Sequence, residues 1–169
     1  NDSVFIFASL ALESAQKDKS DLSFYEAYNI TGDAYAAKFD FTSALENYVK
    51  AKEYCNKINN NNKQISIFLS IGNTYRNLKK FSDAIDTYKQ AIEIANEIED
   101  YQINGLLLYK ISLSYFDITD LNKALEYAIK SANVLMLHNI EENLANTYNF
   151  IGYIHMSLRN NDLAEEYFN

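Results

Sequence analysis

Residues 68–91 read FLSIGNTYRNLKKFSDAIDTYKQA, and within them Gly72, Tyr75, Ala84, Tyr88 and Ala91 stand three, nine, four and three residues apart. The pattern recurs 40 residues upstream and again 40 and 80 residues downstream. Gly32, Ser112 and Gly152 take the small-residue slot, and Tyr35, Tyr115 and His155 follow three residues on. Ala44, Ala124 and Ala164 come next, then Tyr48, Ala128 and Phe168. A fixed period of this size marks a solenoid, because a unit that cannot bury its apolar face alone must stack on its neighbours.

Inside each unit the apolar residues recur with helical period. Ile65, Phe68, Leu69, Ile71, Gly72 and Tyr75 form one face, and Phe81, Ala84, Ile85, Tyr88, Ala91, Ile92 and Ala95 form the next. Asn77-Leu78-Lys79-Lys80 is a short polar turn between them, and Ser82-Asp83 offers a helix start. The register predicts helix pairs at 21–38 with 41–58, 62–78 with 81–98, 101–117 with 120–138, and 141–158 with 161–169. Short turns make the partners antiparallel.

Subtracting the period from Ala44, Tyr48 and Ala51 lands on Val4, Ala8 and Ala11, so residues 1–16 read as the second helix of a preceding repeat. The expected organisation is a single array over 1–169, with repeats at 21–58, 62–98 and 101–138 and a truncated last repeat at 141–169. With no initiator Met and a last helix cut short, the chain reads as a piece of a longer protein. The run Asn59-Asn60-Asn61-Asn62 is punctuation between pairs rather than a functional tract.

Composition agrees with an all-helical chain: 169 residues hold no proline and four glycines. A net charge of −8 and a pI near 4.7 leave no basic stripe for nucleic acid. The apolar run Val4–Leu12 is too short to span a bilayer and lacks the basic flank of a signal peptide. Cys55 alone excludes an internal disulfide and suits a reducing, cytoplasmic compartment. It sits among polar residues at a helix end and reads as a bystander thiol. The Asn, Lys, Ile and Tyr bias is compatible with an AT-rich bacterial genome.

Small-x-x-Tyr, an Ala nine residues on, an aromatic four further and an Ala three after that resembles the tetratricopeptide repeat. Phe68, Ile71, Gly72, Tyr75, Ala84, Tyr88 and Ala91 carry the likeness best. The period departs from the usual ~34 residues, and the proline that often closes the repeat is missing. The longer unit is similar to arrays in kinesin light chains and bacterial signalling proteins. HEAT and armadillo units share the longer period but would not place Gly, Tyr, Ala and Tyr at these offsets. The resemblance implies an all-α, right-handed α-solenoid of antiparallel helix pairs.

It also implies that the first helix of each pair lines a concave groove, at positions three before, one after and four after the small slot. Asn29, Asp33 and Ala36 stand there in the first unit, and Leu69, Asn73 and Arg76, with Asn77 alongside, in the second. Tyr109, Leu113 and Phe116 follow, then Asn149, Tyr153 and Met156, with Asn146 a turn earlier. The asparagines suit an extended peptide backbone because an amide donates and accepts at once. The apolar residues suit its side chains or the apolar face of a helix. The groove also fits another part of the same protein or a second copy. Asp33, and the absence of lysine on the first unit's face, argue against the carboxylate clamp that holds chaperone C-termini.

No residue set points to catalysis or to a cofactor. His138 sits at a helix end and His155 in a repeat core slot. A His138/Glu141/Glu142 set could touch a metal, but zinc sites want three or four ligands and further candidates are missing. There is no Gly-rich phosphate loop, and no histidine stands near Cys55 in sequence. Glu141-Glu142 and Glu165-Glu166 read as solvated faces or helix-start charges. The sequence therefore points to a non-catalytic peptide- or protein-binding module, the sensor or scaffold part of a larger signalling protein. The alternative is a self-associating scaffold.

Overall fold

The computed structural model describes residues 2–168, with side chains from Ile6 onward. Asn1, Asn169 and the side chain of Val4, all counted into the repeat register above, lie outside the described residues. The described chain is all-α. Its helices are α1 (Asp2–Asp18), α2 (Asp21–Ala37), α3 (Phe41–Ile58), α4 (Asn61–Asn77), α5 (Phe81–Glu97), α6 (Tyr101–Asp117), α7 (Leu121–Leu137), α8 (Leu144–Ser157) and α9 (Asn161–Phe168). By contact the chain divides into two compact units, residues 1–83 and 84–169, the division falling inside α5.

The turns show why the helices have these lengths. Lys19, Phe39, Asn59, Lys79, Glu99, Thr119, Asn139 and Arg159 all have positive φ, between 49° and 63°. One left-handed residue thus stands at every twentieth position, and none of them is glycine. Such a residue ends a helix by turning the chain out of its path. At five of these turns the residue that follows caps the next helix. Side chains of Ser20, Asp40, Asn60, Asp100 and Asp120 accept from the backbone N–H of Ser23, Ser43, Lys63, Ile103 and Lys123. Each such cap contributes about 1 kcal/mol. The asparagine run is therefore divided in labour: Asn59 turns left-handed, Asn60 caps and Asn61 opens α4.

The helix expected from residue 141 begins instead at Leu144. Ile140 stands where other repeats carry a polar cap and has no side-chain acceptor to offer. Residues 141–143 form a turn in which the Leu144 N–H bonds the Glu141 carbonyl at 3.1 Å, and Asn143 takes φ 66°. Glu141 and Glu142 thus precede the helix rather than charging its first turn.

Within residues 1–83, α1 packs on α2, α2 on α3 and α3 on α4. The core joins Tyr25, Ala44, Tyr48, Ala51 and Cys55 to Ile67 and Ile71. Cys55, expected among polar residues at a helix end, is fully buried here. It lies four residues beyond Ala51 and so continues the same face of α3 inward. Within residues 84–169, α6 packs on α7, α7 on α8 and α8 on α9. Ala124, Ala128 and Ala132 meet Ile151 and Ile154.

The repeated glycine makes room for a ring. A β-carbon at Gly32 would stand 2.5 Å from Tyr48 Cε1, and one at Gly152 would stand 2.6 Å from Phe168 Cε1. Between these two repeats Ala128 replaces the ring, and Ser112 takes the glycine slot. The Ser112 hydroxyl then donates to the Ala124 carbonyl at 2.6 Å. Slot and ring vary together. A second close approach, Gly105 against Leu135, is held by Ser131, whose hydroxyl donates to the Gly105 carbonyl at 2.7 Å.

Gly32→Leu forces Tyr48 out of its seat and is expected to cost about 3 kcal/mol, several degrees in Tm. A Tm unchanged from wild type in a thermal melt would refute the slot-and-ring account. Thr119 is the β-branched member of the left-handed series, at φ 63°. Thr119→Gly relieves that strain and is expected to gain about 1 kcal/mol. A urea midpoint that stays put or falls would count against it.

Candidate functional site

The face expected to bind is formed by the first helix of each pair, and the two units present it differently. In the first unit, Asn29 and Asp33 stand one turn apart on α2, with Asn29 Nδ2 3.5 Å from Asp33 Oδ2. The Tyr48 hydroxyl reaches the same carboxylate and donates to Asp33 Oδ1 at 2.6 Å. Burial, and then the bond to Asp33, push the Tyr48 phenol far above the ordinary tyrosine range. Asp33, proposed from the sequence as a groove residue, is thus also a structural acceptor for the ring seated over Gly32. The Asn29 Oδ1 is buried and has no hydrogen-bond donor among the described residues. On α4, Leu69, Asn73 and Arg76 are half-buried and Asn77 is exposed. Asn73 and Arg76 are each engaged within the protein.

The second unit offers an aromatic surface. Tyr109, Leu113 and Phe116 are half-buried on α6. Phe150 of α8 sets its ring edge-on to both Tyr109 and Phe116, with centroids 5.5 and 5.4 Å away. Sequence reading missed Phe150. The equivalent positions hold Ile30, Ser70 and Lys110, so no periodic signal marked it. Asn146, Asn149, Tyr153 and Met156 lie along α8 and are all exposed, Tyr153 at 58% and Met156 at 50%. The Phe168 ring meets Tyr153 edge-on at 5.4 Å.

The residues weighed for chemistry have structural positions. His155 is buried and stacks on Tyr167 at 5.7 Å. His138 lies flat on Tyr101, with centroids 3.6 Å apart, and Glu142 accepts from Gln102. Among the described residues no three His, Cys, Asp or Glu side chains come together as a metal set. Burial pushes the Cys55 thiol above its ordinary value, which disfavours the reactive thiolate. No helix among the described residues is long and apolar enough to cross a membrane.

Two family models, both described as the tetratricopeptide repeat, match residues 24–97 and 145–169, together more than half of the chain. The chain belongs to the tetratricopeptide-repeat family. No curated protein sequence matches it. Among solved structures, this tetratricopeptide chain is similar to the Rap conjugation gene regulator of the plasmid pLS20 in complex with the Phr* peptide. There the TM-score is 0.77 at 18% identity, covering 92% of this chain and 43% of the regulator. It is similar to the signal transduction ATPase with a tetratricopeptide repeat sensor from Pyrococcus horikoshii, with TM-score 0.83 at 18% identity over 95% of this chain and 25% of that one. It is also similar to aspartyl phosphate phosphatase F from Bacillus subtilis, with TM-score 0.77 at 23% identity over 85% and 38%. The tetratricopeptide chain thus spans less than half the length of each, and at these identities the likeness is one of fold.

The Tyr48–Asp33 bond has a pH signature. A phenol whose pKa is raised by folding stabilises the protein below the unfolded value near 10 and loses that contribution as pH rises beyond it. Tyr48→Phe is expected to cost about 1 kcal/mol at neutral pH and to lose less stability than wild type on passing above about pH 10. Urea midpoints of both proteins at neutral and alkaline pH check this, and parallel pH dependence would refute it.

Proposed function

We propose that this chain is a non-catalytic peptide- or protein-binding module and serves as the sensor or scaffold segment of a larger signalling protein. The observation that carries the reading is the exposed α8 line of Asn146, Asn149, Tyr153 and Met156, beside the rings of Tyr109, Phe116 and Phe150. It places polar amides next to apolar surface, as recognition of a peptide requires. The Phr*-bound regulator and the tetratricopeptide sensor, proteins of the same fold, support it. In the first unit the proposed binding positions are Asn29, Asp33, Asn73, Arg76 and Asn77, which are polar, and Leu69, which is apolar. A cytoplasmic, bacterial setting fits the lone buried thiol and the composition. The resemblance to a protein named as a phosphatase is one of fold, and its activity is not carried over to this chain.

The test is capture of peptides from a random library by wild type and by an Asn149→Ala/Tyr153→Ala double variant with unchanged circular dichroism. Both residues are exposed, so the fold survives their truncation. Capture by wild type that falls about tenfold or more in the variant is expected. Equal capture by both would sink the assignment of the face.

Self-association is the second reading, and α1 carries it. Ile6, Phe7 and Leu10 are 58%, 66% and 52% exposed where α3 places Glu46, Asn47 and Lys50. On this reading wild type grows in size with concentration during sedimentation, and Leu10→Lys holds it monomeric.

A further inference from the structure

In the first unit one carboxylate of the proposed face differs from its counterparts. The position just past the small slot holds Asp33, Asn73, Leu113 and Tyr153 in turn, so only the first repeat places a charge there. Seating the ring does not require that charge, because the next repeat puts an asparagine, Asn73, ahead of the same ring position, Tyr88. Asp33 is exposed, although Ser70 of α4 comes within hydrogen-bond reach of the Tyr48 phenol that donates to it. The neighbouring helix is thus in place and still leaves the carboxylate open. Small side chains make the opening: Ala36 and Ser70 stand where the second unit sets the rings of Phe116 and Phe150.

The carboxylate is held in place and keeps acceptor capacity. An ionised carboxylate offers about four lone-pair sites. The Tyr48 hydroxyl takes one at 2.6 Å, and Asn29 Nδ2, at 3.5 Å, holds a second only loosely. Both donors are neutral. Lysines of the same unit are bound elsewhere: Lys57 pairs with Asp21 and Lys63 with Glu26, while Lys50 lies over Tyr28 and Lys52 over Phe68. Lys38 and Arg76 are each engaged within the protein. One turn from Asp33, the buried Asn29 Oδ1 has no donor among the described residues. The two side chains therefore hold more acceptors than donors, around an anionic centre. A ligand group that brings positive charge and several N–H donors together answers both.

We propose that Asn29 and Asp33 receive a cationic nitrogen group of a peptide, an ammonium or a guanidinium, whose charged N–H donors Asp33 accepts. The inference rests on the peptide-binding reading above and names the group that the first unit reads. Because Tyr48 already orients the carboxylate, little side-chain freedom is lost on binding. Rotation of the Asn29 amide gives up only the 3.5 Å contact and turns Oδ1 toward the same donors.

Four pools of short, fluorescently labelled peptides test it on the full chain. The parent pool is end-capped and built only from Leu, Phe, Ile, Ser, Asn and Gln. Two more carry an Arg or a Lys in place of one residue, and the last is the parent with a free N-terminus, so the source of the cation is told apart. At least one cationic pool is expected to bind about fivefold or more tighter than the parent. That margin should shrink between about 50 and about 500 mM salt. Asp33→Asn keeps an acceptor for the Tyr48 hydroxyl and should erase the margin while the circular dichroism stays native. Asn29→Ala, which leaves the Tyr48–Asp33 bond in place, should reduce it by about half. A net charge of −8 draws any cation, so a margin that survives both substitutions overturns the inference. Equal binding by parent and cationic pools also overturns it and leaves the peptide-binding reading standing. No binding by any pool removes both.

Discussion

A helix that must stop after seventeen residues governs most of what this protein does with its side chains. The left-handed residue at every twentieth position ends one helix, and at five of these turns the residue after it caps the next. Because the helices begin in phase, a given offset within the unit always faces the same neighbour. That is how one glycine slot can be met by a ring sixteen residues later, at Tyr48 and again at Phe168. It is also why the exposed positions of α8 fall into line. None of the left-handed residues is glycine, so the turns hold conformations costing about 1 kcal/mol or more each, offset by the capping bonds beside them and the packing beyond.

Much of the fold was legible in the amino acids because a period of this kind is written many times over. Gly32, Tyr35, Ala44 and Tyr48 repeat with their counterparts, and seven of the expected helix starts agree with the structure to within a residue. What the pattern hid lay where one copy differs from the rest. Ile140 in place of a polar cap moved the start of α8. Phe150 has no aromatic counterpart, so no register announced the ring cluster. Cys55 looked exterior from its sequence neighbours, yet it is four residues past Ala51 on the buried side of α3. Asp33 was legible as an outward residue but not as the acceptor for Tyr48, because that bond depends on the ring's reach across two helices.

The departures from the repeat are also where the proposed binding positions differ most. Positions shared by all copies hold the helices together and are poor reporters of what the surface meets. Positions that change from copy to copy, such as Asn73 against Tyr153 or Arg76 against Met156, alter the chemistry of the face while the slot residues beneath keep their small size. A solenoid can in this way keep its architecture while its outward stripe diverges.

The beat of the turns also limits how such a gene can change length. Removing one residue from a helix rotates everything after it by about 100° relative to what precedes it. That carries ring, slot and stripe out of register at once. Removing forty, from one left-handed turn to the next equivalent one, would join Asn59 to Asp100 and leave a capped helix start in its proper phase. Chains of this design are therefore expected to shrink and grow in whole repeats, with the left-handed turns as the natural seams of duplication.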